Sequence, residues 1–291
     1  MTLDRGCGLA LGLFDSIHTG HRYLINSAQA YCAAHNLDFL LLTFDDGFFD
    51  YIQKKEKSVY TLRERTALMN GLGISYSVIP SSKEFFMLND KGFYDYLSRF
   101  NPKALFMGED YTFGAKGKWT PKDMQAHFGK LGIEVFVVNL LKEGEEKVST
   151  SLIKQMLESG NIDMANKLLG DDYFIMGKVV SGKGIGHTMG LPTANMEIAD
   201  NKFLPKWGVY ATYAHVEGKR YKAITNIGGQ PTFGQEKPCV ESYLLDFGED
   251  IYNRDIQISI KAYLRNIKRF ESPELLKQQI LSDIKKAESI W

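Results

Sequence analysis

The sequence predicts an α/β domain on a parallel sheet, followed by a small antiparallel β-barrel that ends in a helix. Three observations carry this expectation. In the first half, short apolar runs at 9–14, 39–44, 74–79, 104–107 and 133–138 alternate with polar or amphipathic stretches. That is the pattern of parallel strands joined by helical crossovers, a Rossmann-like arrangement. Beyond Gly170 the runs 174–180, 208–215, 221–227, 240–246 and 256–264 are rich in β-branched and aromatic residues and follow one another closely, as in a small barrel. A chain of 291 residues, 44% apolar, supplies two cores of ordinary size. We expect the domains to span 1–158 and 159–291.

In chain order, the run 9–14 is long enough for one buried strand and is broken by Gly12. Asp15 and Ser16 bring turn chemistry. His18-Thr19-Gly20-His21 then opens a helix that continues to about Ala34, with Tyr23, Leu24 and Ala28 at helical spacing. Strand, tight turn and helix together point free backbone N–H groups at an anion. His18 and His21, three apart, share one helical face, from which both imidazoles reach one phosphate. Phosphoryl and nucleotidyl transfer need positioned donors where negative charge builds up. A His-x-x-His pair also suits a metal, although no third ligand lies nearby. Asp45 and Asp46 end the second strand. The segment 62–72 is expected to be a helix with Leu62, Ala67, Leu68 and Leu72 on one face. Gly108-Glu109-Asp110 ends the fourth strand, and Phe113-Gly114 closes that loop. Ligands of parallel sheets sit at the carboxyl ends of strands, where these residues fall. Taken alone, the acids are equally turn-formers or N-caps, and Val148-Ser149-Thr150-Ser151-Leu152-Ile153-Lys154 is a helix N-cap.

Two short amphipathic helices, 152–157 and 162–169, flank Ser159-Gly160-Asn161 and connect the halves. Glu217-Gly218 fits a hairpin turn. Ser272 caps a final helix, Pro273 suits its first position, and Leu276, Ile280 and Ile284 form its buried stripe. A fragment from about Tyr173 to the end is expected to fold by itself. In Gly190-Leu191-Pro192-Thr193-Ala194-Asn195, Thr193 and Asn195 lie two apart on an extended segment and face the same way. Their neutral oxygens suit Mg²⁺ beside ATP phosphates, although the bare pattern is also that of a plain turn. Gly182, Gly184 and Gly186 permit close phosphate approach or form a simple loop; no Walker A pattern occurs.

Composition excludes several classes. With 35 basic and 35 acidic residues, nothing draws the chain to nucleic acid or to an anionic membrane. Cys7, Cys32 and Cys239 are scattered, without a Cys-x-x-Cys, which fits a reducing, cytoplasmic setting. Asp4 and Arg5 precede only a short apolar stretch, so no leader is expected. The longest apolar run, 39–44, is too short for a bilayer. No feature specifies an oligomeric state.

Gly12, Phe14, Asp15, His18, Gly20 and His21 match the pattern G-x-F-D-x-x-H-x-G-H, and the first half resembles the bacterial FAD synthetases, a branch of the HxGH nucleotidyltransferases. Gly108-Glu109-Asp110-Tyr111-Thr112-Phe113-Gly114 resembles that family's flavin- and adenine-holding G-E-D/N-F-x-F-G. The run 148–154 resembles I-S-S-T-x-I-R, whose hydroxyls and Arg embrace the triphosphate. In the second half, 186–195 resembles G-R-x-L-G-F-P-T-A-N of the riboflavin kinases, with His187 for Arg. Val240-Glu241-Ser242-Tyr243-Leu244-Leu245-Asp246-Phe247 resembles V-E-x-x-L-L-D-F. Asn226-Ile227-Gly228-Gly229-Gln230-Pro231-Thr232-Phe233 and Arg265 with Phe270 match two further stretches.

The resemblance covers nearly the whole chain and implies a bifunctional enzyme. The second domain would phosphorylate riboflavin to FMN with Mg²⁺ and ATP. The first would adenylylate FMN to FAD with another ATP. By resemblance, Glu241, His18 and His21 are catalytic, and Thr193 and Asn195 hold the metal. Gly12, Phe14, Asp15, Gly20, Ser149, Thr150, Ser151, Lys154, Gly182, Gly184, Gly186, Thr193 and Asn195 meet ATP. Asp45, Asp110, Phe113, Asn226, Arg265 and Phe270 meet flavin. The first half departs from its family at Ser16 (usually Gly), at Asp45-Asp46-Gly47 (where Asp-Pro-His is usual) and at Lys154 (usually Arg). These departures predict adenylylation slower than phosphorylation. The alternatives are a riboflavin kinase with a degenerate first half, a non-catalytic flavin-binding regulator, and a nucleotidyltransferase with another acceptor.

Overall fold

The computed structural model describes residues 5–51, 56–114, 117–139, 141–182, 190–230 and 235–291. Contacts divide the chain into two compact units, Met1–Thr150 and Ser151–Trp291. The first opens with β1 (Cys7–Leu11), α1 (Thr19–Ala34), β2 (Asp38–Phe44), α2 (Phe48–Tyr51), α3 (Leu62–Gly71) and β3 (Tyr76–Ile79). It continues with α4 (Lys83–Phe86), α5 (Asp90–Ser98), β4 (Pro102–Gly108), α6 (Pro121–Gly129) and β5 (Glu134–Val138). A short hairpin, β6 (Lys142–Glu143) and β7 (Glu146–Lys147), precedes α7 (Thr150–Ser159).

The five strands form one parallel sheet in the order β3-β2-β1-β4-β5. Every residue of β1 is buried, as a central strand covered on both faces requires. Two apolar clusters lie on the two faces: Leu9, Leu42, Leu105 and Phe128 belong to one, Ala10, Ile25, Leu41 and Phe106 to the other. The order reverses beside β1. At such a switch point a crevice opens outside the carboxyl ends of the strands.

The face expected for α3 is corrected by the structure. Its buried residues are Glu64, Arg65 and Met69, whereas Leu72 just beyond its end is exposed. Thr61 caps the helix, and Glu64 reaches back to the Thr61 N–H in a capping box. The inner face of this helix is polar because it holds loops, as described below.

The second unit comprises the remainder of α7, α8 (Ile162–Leu169), β8 (Phe174–Val180), β9 (Thr193–Glu197), β10 (Gly208–Val216), β11 (Lys219–Gln230), β12 (Gln235–Leu244), β13 (Asp255–Arg265) and α9 (Pro273–Ala287). Its strands close an antiparallel barrel in the order β10-β11-β12-β9-β8-β13. Val216 pairs with Lys219 across the expected hairpin turn, where Glu217 and Gly218 both take positive φ. Alternation along the strands sends two sets of side chains to opposite faces. One set is fully buried and includes the hydroxyls of Thr212, Thr225 and Ser242, linked in a chain at 2.7 and 2.8 Å. On the other face Val209, Ala211 and Ile224 pack under α9 with Ala287, Ile284 and Trp291. Ser272 caps α9 and Pro273 opens it as expected. Within the helix, however, the two buried residues are Asp283 and Ala287.

The helix α8 belongs to this core. Ile162, Ala165, Leu168 and Leu169 are buried, and the Asn166 amide donates to the Ile260 carbonyl at 2.9 Å while its oxygen accepts the Tyr173 N–H at 2.8 Å. The start expected for an independent fragment therefore moves upstream. A fragment 151–291 should unfold cooperatively. One beginning at Tyr173 should be less stable by at least ~5 kcal/mol, since four apolar side chains lose their burial. Urea denaturation of the two fragments checks this, and equal midpoints would refute it.

Candidate active sites

The first site forms where β1 meets α1. The chain leaves β1 through Gly12, which packs against the Phe14 ring. Phe14 and Ile17 both take left-handed backbone angles, φ 51° and 43°. For a bulky residue and a β-branched one this is strained, costing about 1–3 kcal/mol each. Ser16 has no such angle. His18 then caps α1: its Nδ1 accepts the His21 N–H at 3.1 Å. That bond leaves the proton of the neutral ring on Nε2. The His18 and His21 rings stack 3.7 Å apart and 8° from parallel, and Phe14 meets His21 edge-on. Gly20 is needed here, because a Cβ would lie 3.1 Å from the His18 ring.

Both imidazoles resist protonation. Burial pushes His18 down to about 4. Burial, with His18 beside it, holds His21 well below its usual value. Burial therefore favours the neutral form of both rings at pH 7. The sign for stability follows. Between pH 6.5 and 4 the unfolded chain binds a proton at residue 18 that the folded chain refuses. The stabilisation by neutral His18 is thus complete above pH 6.5 and is lost as pH falls toward 4, by something on the order of 3 kcal/mol. Urea denaturation at pH 7, 5 and 4 should show that slope, and His18→Gln should reduce it, leaving the share of His21.

Other predicted contacts of this site are placed as follows. Asp15 is buried, and its Oδ2 accepts the Val59 N–H at 3.2 Å. The Ser16 hydroxyl, fully buried, lies 3.0 Å from the hydroxyl of Thr150, the first residue of α7. This bond joins the turn after β1 to the hydroxyl-rich run, and Ser149 immediately precedes it. Ser151 and Lys154 fall in the second unit, where the Lys154 ammonium lies 5.6 Å from the Phe203 ring centre. Asp45 accepts the Gly47 and Ser81 N–H groups, each at 3.1 Å. Asp46 accepts the Leu62 N–H at 2.7 Å. Asp110 is exposed. Phe113 packs in the core, its ring stacked 3.6 Å from Phe93 and 5% exposed. Phe14 is likewise buried, its ring against His21.

The second site lies on the α9 face of the barrel, beyond the edge of that helix. Asn226 pairs with Glu241, and Glu241 with Asn195, so these side chains stand in one row across β11, β12 and β9. Thr193 sits two residues before Asn195 on the same face and donates its hydroxyl to Glu241 Oε1 at 2.5 Å. All four are half-buried. Asn195 Oδ1 also accepts the Cys239 thiol at 3.7 Å. Gly182 closes over this row: a Cβ there would lie 2.2 Å from Asn195 Nδ2. Gly184, Gly186 and His187 lie outside the described residues, as do 231–233. Arg265, expected near flavin, lies at the end of β13. Its guanidinium grips the fully buried Asp283 through Nε and Nη2 at 2.8–3.0 Å, fastening α9 to the end of β13, with Phe270 5.9 Å away.

Two family models divide the chain as its geometry does. One described as FAD synthetase matches residues 1–152, and one described as riboflavin kinase matches residues 169–291. The bifunctional riboflavin kinase/FMN adenylyltransferase of Bacillus subtilis (strain 168) is 34% identical over 288 residues, covering 96% of this chain and 90% of that protein. The chain belongs to the bifunctional riboflavin kinase/FMN adenylyltransferase family. Relatives of the same description from Listeria monocytogenes and Escherichia coli (strain K12) are 31% and 30% identical, covering 94% and 96% of this chain and 89% and 91% of theirs. A crystal structure described as a macrolide-efflux protein from Streptococcus pneumoniae has 28% identity and a TM-score of 0.87, covering 99% of this chain and 95% of that one.

For a member of this family, the sequence reading missed one group at the first site. Arg65 is 1% exposed and bonds the carbonyls of Leu13 and Phe44. Its signal was present as an Arg beside Glu64 on the inner side of an amphipathic helix, but a charged pair in a helix is ordinarily a solvated one.

Proposed function

We propose that this chain phosphorylates riboflavin to FMN in its barrel and adenylylates FMN to FAD in its α/β unit, using one ATP for each step. The observation that carries the kinase reading is the 2.5 Å bond between Thr193 and Glu241, in a row with Asn195 and Asn226. Glu241 takes the proton of the ribityl hydroxyl as that oxygen bonds to the γ-phosphorus and ADP departs. Thr193 and Asn195 present neutral oxygens beside that carboxylate, a donor set that fits Mg²⁺ carried by ATP phosphates. The cation, when bound, neutralises phosphate charge. Gly182 lets the triphosphate approach, and Asn226 orients the flavin substrate. The intact family patterns around 193–195 and 240–247 support the assignment.

In the first unit, a phosphate oxygen of FMN bonds to the α-phosphorus of ATP and pyrophosphate leaves. His18 and His21, neutral and stacked, donate N–H bonds to the charge that develops there. Gly12, Asp15 and Gly20 shape this end of the crevice, with Phe14 contributing its backbone. Ser149 and Thr150 serve the triphosphate, and Asp45 and Asp110 border the flavin. The reactions are cytoplasmic, where ATP is supplied, and no described helix is long and apolar enough to cross a membrane. Incubation with riboflavin, ATP and Mg²⁺, with products resolved by chromatography, tests the whole reading. FMN followed more slowly by FAD is expected. FMN alone at high enzyme concentration would leave a kinase with a degenerate first unit, and neither product would leave a flavin binder.

Ser16→Ala is a sharper probe of the first unit. It removes the bond to Thr150 and should lower kcat/KM for ATP in FAD formation by roughly 3- to 10-fold, the worth of one hydrogen bond. FMN formation by the same preparation should be unchanged. An unaltered FAD rate would show that the Ser16–Thr150 bond does not position the hydroxyl run.

A further inference from the structure

The inner face of α3 carries a buried cation, Arg65. Arg65 Nη1 donates to the Leu13 carbonyl at 2.9 Å and to the Thr43 hydroxyl at 2.8 Å. The Thr43 hydroxyl itself donates to Leu13 at 2.6 Å, closing a triangle. Arg65 Nη2 donates to the Phe44 carbonyl at 2.9 Å and lies 3.7 Å from Asp46. Its Nε is buried without an acceptor among the described residues. A buried cation with a donor left over is a costly way to fill space. Burial pulls its pKa down, and the charges that oppose this are Asp15, Asp46 and Asp45, all of which follow the sheet's two strands β1 and β2.

What this cation holds is the connection 12–18. Leu13 immediately precedes Phe14, the first of two non-glycine residues with left-handed φ, and Ile17, the second, immediately precedes His18. Such a connection keeps its shape only where its surroundings over-determine it. Two tethers do so. Asp15 is bonded to the Val59 and Tyr60 N–H groups just before α3, and Leu13 is bonded to Arg65 within α3. Downstream, the His18 cap and the His21 ring depend on where this connection delivers the chain.

We propose that Arg65 is a positioning residue for adenylyl transfer: by holding the Leu13 carbonyl against the end of β2, it fixes the strained connection 13–17 and so the placement of His18 and His21. The proposal rests on the adenylyltransferase reading of the first unit. Geometry of this kind is sensitive, since small displacements of reacting groups cost large factors in rate.

Arg65→Lys keeps the charge and loses the two-armed grip. It should lower kcat for FAD formation by roughly tenfold or more, with little change in KM for FMN. The barrel's FMN formation, measured in the same full-length preparation, should be unaffected. Arg65→Ala should lose FAD formation more fully and regain part of it with added guanidinium ion. Amide hydrogen exchange gives a readout free of activity: residues 14–18 should exchange faster in Arg65→Lys, while β4 and β5 keep their protection. A folded Arg65→Lys protein with unchanged kcat and unchanged exchange at 14–18 would overturn the proposal. Faster exchange throughout the sheet would also overturn it, since Arg65 would then be a general stabiliser. If the unaltered protein makes no FAD, the functional reading fails, and the exchange experiment still decides whether Arg65 holds the connection.

Discussion

Glu241→Gln should reduce FMN formation by about 10²- to 10⁴-fold, the usual worth of a positioned general base. The substitution is nearly isosteric. The amide side chain it introduces retains an oxygen to accept the Thr193 hydroxyl that Glu241 Oε1 accepts at 2.5 Å, so the row across β11, β12 and β9 keeps its shape. What is lost is the carboxylate that takes the ribityl proton. ATP binding, measured by calorimetry with Mg²⁺ present, should persist, and the loss should fall on kcat rather than KM. A variant that phosphorylates riboflavin at a near-normal rate would remove Glu241 from the role of base.

The second large effect concerns the stacked histidines. His21→Ala should lower FAD formation from FMN and ATP by about 10²- to 10³-fold, the cost of removing a donor aimed at developing charge. His21 is a cleaner target than His18, because the His18 side chain also caps α1. The backbone N–H of residue 21 survives the substitution, so that cap is preserved. FMN formation by the barrel should continue at its full rate in the same molecules. The assay follows FAD by chromatography and pyrophosphate by a coupled reaction. Loss of both activities together would mean that the pair serves the fold, and the assignment of His18 and His21 to the α-phosphate would fail.

Much of the fold was legible in the sequence because its signals are local. The periodicities of 2 and 3.6 and the punctuation by Gly, Pro, Asn and Ser marked most elements to within a few residues. Thus α1 ends at Ala34, β8 spans Phe174–Val180, and Glu217-Gly218 turns the hairpin. Residues that act through backbone geometry were legible too, since His18-Thr19-Gly20-His21 follows a strand and opens a helix. Other details were not legible. Leu62, Ala67, Leu68 and Leu72 were expected to share one face; Leu68 does pack on the core, but α3 buries Glu64, Arg65 and Met69 and leaves Leu72 exposed. The stripe of α9 was expected to be aliphatic, yet Asp283 is its most buried polar member. Nor did the sequence show that Arg265 grips Asp283 or that Phe113 stacks on Phe93. The partners of Arg65, Arg265 and Phe113 lie 18 or more residues away in sequence, where no local pattern reports them.

By itself, then, the sequence determined the order of strands and helices, the α/β-then-barrel division and the two motif sets, because hydrophobic periodicity and turn chemistry act over a few neighbouring residues. Only the tertiary structure decided which polar groups hold the molecule together and which are left to meet a ligand. Thr193 joins Glu241 across 48 residues, Ser16 joins Thr150 across 134, and Arg65 joins Leu13 across 52. A buried polar group must find its partner wherever the fold brings one within about 3 Å, and that pairing exists only once the chain has closed on itself.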